Sequence, residues 1–84
     1  MAIEIVETAD TFRLISDGGG RFAVVEARAG HVYSVHGHDR RRAEDSERGM
    51  GEVVGDDGWF DEAAARRCLD EAARGGDTYS RIIW

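Results

Sequence analysis

The sequence predicts an α+β domain, with an antiparallel sheet of four to five strands and one amphipathic helix packed on one face. Three observations carry that expectation. Short β-branched and aromatic runs alternate with turn residues to form a meander over residues 12–36. A capped segment at residues 61–74 has an apolar stripe at helical spacing, and strand-like runs lie near both ends of the chain.

Residues 3–6 and 12–15 are rich in Ile, Val, Phe and Leu and read as strands joined by the polar Glu7, Thr8, Ala9, Asp10 and Thr11. Asp17, Gly18, Gly19 and Gly20 supply the positive-φ positions of a reversal, after which residues 21–28 resume an apolar run through Phe22, Val24 and Val25. Ala29 and Gly30 form a second turn, and Val32, Tyr33 and Val35 make a further strand. From His36 to Gly49 the only apolar side chain is Ala43, so residues 37–49 read as a long polar loop within a single domain spanning 1–84. Met50, Val53 and Val54 recur at i, i+3 and i+4, which suits a short helix begun near Ser46; a short strand at residues 52–54 is the alternative.

Gly55, Asp56, Asp57 and Gly58 then break the chain, and Asp61 caps a helix that Gly75 and Gly76 stop. Its stripe is Ala65, Cys68, Leu69, Ala72 and Ala73, while Glu62, Arg66, Asp70 and Arg74 follow at i+4 with alternating sign on the solvated side. Phe60 stands at its start as a hydrophobic anchor. Residues 79–84 read as a terminal strand with Ile82 and Ile83 on opposite faces.

Eleven basic against seventeen acidic residues, a net charge of -6, disfavour phosphate backbones and anionic membranes, so nucleic-acid and membrane binding are not expected. All eleven basic residues are Arg, which together with eleven Gly and eleven Ala suggests the codon usage of a G+C-rich, bacterial genome. The first ten residues lack the basic and apolar regions of a signal peptide, and the lone Cys68 forms no internal disulfide, which together suggest a cytoplasmic protein.

His36 and His38 are the candidate metal ligands, with His31, Asp39, Glu44, Asp45 and Glu47 nearby in sequence, although no cysteine pair or HExxH helix completes a framework. Arg40, Arg41 and Arg42 are balanced by Asp39, Glu44, Asp45 and Glu47, and no aromatic residue interleaves for base stacking. The triple glycine has no GKS or GKT and sits between strands, so it is a hairpin and not a phosphate loop. Asp56, Asp57 and Asp61 lack the alternating pattern of a calcium loop. Cys68 lies on the packing stripe with no histidine near it, and Ser34 with His36 lacks a third orienting residue.

The absence of a catalytic constellation favours a non-enzymatic protein-interaction or regulatory module with no cofactor, binding a protein partner or a second copy of itself. Trp84, Ile83 and Trp59 would supply apolar anchors and Arg40, Arg41 and Arg42 a polar rim. The alternative is a small metal-binding module built on His36 and His38.

Overall fold

The computed structural model describes residues 3–35, 41–56 and 58–74 of the chain. Five antiparallel strands, β1 (Glu4–Ala9), β2 (Phe12–Ser16), β3 (Phe22–Arg28), β4 (His31–Ser34) and β5 (Arg42–Glu44), are hydrogen-bonded in chain order. Two helices, α1 (Glu47–Val54) and α2 (Glu62–Ala73), complete the α+β fold.

The meander follows from its turns. Ala9 pairs with Phe12, leaving only Asp10 and Thr11 in the first hairpin, with Asp10 at φ 58°. The first strand therefore runs three residues further than residues 3–6, because pairing with β2 recruits the polar Glu7 and Thr8 despite their weak local preference. A bulge between Ile5 and Glu7 offsets its register. Arg28 pairs with His31 across Ala29 and Gly30, both at positive φ, as a two-residue hairpin that matches the strand twist requires.

Strand alternation sorts the apolar residues onto two faces, and each face has its own helix. Phe12, Leu14, Val24 and Val35 pack with Ala65, Cys68, Leu69 and Ala72 of α2. Ile3, Ile15, Ala23, Val25 and Val32 pack with Met50, Val53 and Val54 of α1 on the opposite face. The α2 helix lies over β1, β2 and β3, whereas α1 lies over β3, β4 and β5, so the sheet is the middle of three layers. The expected single helix on one face is thus half of the arrangement. At residues 46–54 the helical alternative is the one adopted.

The stretch expected to be a polar loop at 37–49 is corrected in its second half, where residues 42–44 form β5 and α1 begins at Glu47. The reason is non-local. Arg42, Ala43 and Glu44 carry one apolar side chain between them, and they become a strand by pairing with Tyr33, Val32 and His31. Helix α1 then starts at once, its N-cap Ser46 accepting the Gly49 amide at 3.1 Å. Asp61 caps α2 as expected, accepting from the Ala64 amide at 2.7 Å. The proposed strand at 79–84 lies outside the described residues.

Between the helices the chain crosses from one face of the sheet to the other. Phe22 and Phe60 exchange two backbone hydrogen bonds, of 2.8 and 2.7 Å, and this bridge fixes Trp59 immediately before it.

Candidate functional site

An open cleft of about 610 Å³ lies between α1 and the crossing segment, lined by Ile3, Arg21, Glu47, Arg48, Gly51, Glu52, Gly55, Asp56 and Trp59. Its walls are assembled by local features that can be traced residue by residue. The Asp17 carboxylate accepts the Gly19 amide at 2.7 Å and the Arg21 amide at 3.2 Å, closing the hairpin between β2 and β3. Its other oxygen accepts from Arg21 Nε at 2.6 Å. The Arg21 guanidinium, so held, lies 5.4 Å from the centre of the Trp59 ring.

Asp17, Arg21 and Trp59 thus form one chain of contacts at the cleft wall. The hydrogen bond from the Gly19 amide, aided by Arg21, holds the Asp17 carboxyl below the usual carboxylate value of 3.8 in spite of its burial. A depressed folded-state value contributes stability that is present above the unfolded value and is lost as pH falls through the folded one. Asp17→Asn is therefore expected to lower the urea midpoint at pH 7, and its deficit relative to the parent should shrink below about pH 3.5. A deficit that stayed constant from pH 7 to about pH 2.5 would show that the carboxylate charge contributes nothing.

Helix α1 supplies the facing wall. Glu47, Arg48, Gly51 and Glu52 lie along its exposed side, while Met50, Val53 and Val54 are buried against the sheet. Arg48 donates to Glu52 at 3.2 Å, a pair of exposed side chains one helical turn apart. Gly51 hollows the cleft, since a Cβ there would touch Ile3 Cδ1 at 3.6 Å, an ordinary contact. The floor is consequently apolar, formed by Ile3 and the half-buried Trp59, and the rim is charged.

Of the anchors expected from sequence, Trp59 lies in this cleft, while Ile83 and Trp84 lie outside the described residues. Arg41 is turned toward the end of α1, donating through Nη2 to the Val54 carbonyl at 3.4 Å, where a cation also opposes the helix dipole. Its guanidinium lies close to Gly55, whose φ of 74° is a conformation that favours glycine. Arg42 is exposed on β5, opposite Tyr33, and Arg40 falls outside the described residues. The structure therefore does not bring Arg41 and Arg42 to the Trp59 cleft.

His36 and His38 also lie outside the described residues. His31 begins β4 with Nδ1 3.2 Å from the Ala29 carbonyl oxygen. Among the described residues, no three His, Cys, Asp or Glu side chains converge on one point. Cys68 is buried beneath α2, and burial pushes its thiol up to about 12, with Glu71 adding to the effect. Such a thiol is protonated at neutral pH and packs as a small apolar group. No described helix is long and apolar enough to cross a membrane.

Sequence reasoning missed Ile3, Arg21, Gly51 and Glu52 as parts of a site. Their one legible signal was the i,i+4 spacing of Asp17 and Arg21 across a glycine turn; nothing in the sequence joins them to α1. Comparison of the chain with protein-family models, curated proteins and solved structures finds no match.

Proposed function

We propose that the protein is a non-enzymatic interaction module that receives a segment of a protein partner in the Trp59 cleft. One observation supports this above the others: two apolar side chains, Ile3 and Trp59, meet at the floor of an open cleft whose rim is charged. An apolar centre with a polar rim is the arrangement by which interfaces concentrate binding energy, and tryptophan is enriched among the residues that carry it. Among the described residues lining the cleft there is no Ser, Thr, Cys, His or Lys.

Selection from a displayed library of random peptides tests the reading. Enriched peptides are expected to bind the parent chain and to lose about tenfold or more in affinity on Trp59→Ala, equivalent to about 1.4 kcal/mol. Because Trp59 also packs against the core beneath α1, a second variant is needed. Gly51→Leu leaves that core in place and puts a side chain into the cleft, so it should block the same peptides while the amide spectrum stays folded. Enriched peptides that bind both variants as tightly as the parent, or a selection that yields none, would overturn the proposal.

A further inference from the structure

We infer that the partner segment is basic and extended, pairing with the outer edge of β1 and sending a side chain into the Trp59 cleft. This deepens the interaction reading and rests on it. The first strand of the sheet, β1, has β2 on one side and no strand on the other among the described residues. Such an edge presents backbone donors and acceptors to any strand that can lie beside it.

The side chains of this edge point the same way. Ile5, 44% exposed, and Val6, 39% exposed, are the exposed large hydrophobic residues of the described chain, and both are on β1. Ile5 pairs with Ile15 and so faces the α1 side of the sheet. Ile3, two residues earlier, packs on that same side and also lines the cleft. A row of apolar side chains therefore runs from Trp59 through the buried Ile3 to the exposed Ile5. A strand along β1, with alternate side chains on one face, would place one of them over Ile5 and the next, about 7 Å away, toward the cleft.

Charge selects the occupant. Of the charged residues lining the cleft, Arg48 and Glu52 pair with each other at 3.2 Å and Arg21 is held by Asp17 at 2.6 Å, so Glu47 and Asp56 set the sign of the rim. On the α2 side of the same edge stand Glu4 and Glu7, the latter already paired with Arg66 at 3.2 Å. A second copy would bring two more glutamates onto the same narrow ribbon, with another net charge of -6 behind them, whereas a basic segment meets Glu4 at the edge and Glu47 and Asp56 at the cleft. The ring of Trp59 already carries one guanidinium, that of Arg21, and shows the kind of group the floor accommodates.

The test uses the full ¹⁵N-labelled chain and a capped octapeptide alternating Arg and Val. Its controls are the Glu-for-Arg peptide and two versions N-methylated at alternate backbone nitrogens, one for each edge of the strand. The parent peptide should shift the amide signals of residues 4–7 together with the Trp59 indole. Affinity should fall about tenfold or more for the Glu peptide and for one N-methylated version, for Ile5→Lys, and on raising salt from about 50 to about 300 mM. Failure of the parent peptide to bind, or equal binding by the Glu peptide or by both N-methylated ones, would overturn the inference. So would a sedimentation equilibrium showing a dimer whose dilution shifts the β1 amides, since a second copy would then occupy the edge. If library-selected peptides depend on Trp59 yet are not basic and leave β1 unshifted, this inference fails and the interaction reading stands; if nothing perturbs Trp59, both fail.

Discussion

Leu14→Ala is expected to destabilise the protein by about 3 to 4 kcal/mol, a large share of the roughly 5 to 10 kcal/mol that holds a domain of this size folded. Leu14 is fully buried on β2, beneath α2. Truncation removes its transfer free energy and leaves a void, and the cost of the void depends on what can move into it. Little can. The helix above presents Ala65, Cys68 and Ala72, small side chains that bring it close to the sheet but have no length to swing, and only Leu69 is large. Urea unfolding followed by circular dichroism measures the loss. A value below about 1 kcal/mol would mean that α2 settles into the cavity and that the packing beneath it is loose.

Gly49→Ala is expected to cost about 3 kcal/mol, although in an isolated helix the same change would stabilise by about 1 kcal/mol. A Cβ at Gly49 would collide with the backbone carbonyl oxygen of Glu44, where the chain turns from β5 directly into α1. Backbone on both sides of the contact cannot yield as a flexible side chain would, so the β5 end or the first turn of α1 must shift. Gly51→Ala, two residues along the same helix, is the control. Its Cβ meets only Ile3 at ordinary contact distance, and the variant should be about 1 kcal/mol more stable than the parent. Equal effects at the two positions, by urea unfolding, would show that helix propensity governs both and that the Gly49 contact is not tight.

These two glycines mark the boundary of what sequence reasoning could reach. In the sequence they are equivalent penalties inside a weak helix; only the neighbouring chain distinguishes them. Phe22, Val24 and Val25, by contrast, mark β3 as a strand of the meander, and Asp61 with the stripe through Leu69 marks α2 from its cap onward. The missing strand, β5, has no apolar pattern because its three residues expose most of their surface. Its hydrogen bonds to β4 make it a strand, and those bonds join residues far apart along the chain. The candidate site was legible at Trp59 alone, since Ile3, Arg21 and Gly51 acquire a common role only when the sheet brings three distant segments together.

By itself the sequence determined the α+β class, the meander of β2, β3 and β4, the capped helix α2 and the inert burial of Cys68. Each of these depends on contacts within a few residues or on a periodicity that selects one face. The tertiary structure decided that α1 covers the second face, that β1 has a strand on one side alone among the described residues, that Gly49 must lack a side chain while Gly51 need not, and that Trp59 opens into a cleft. Those outcomes depend on which surfaces meet, and the packing that brings distant residues together has no representation in any local stretch of the chain.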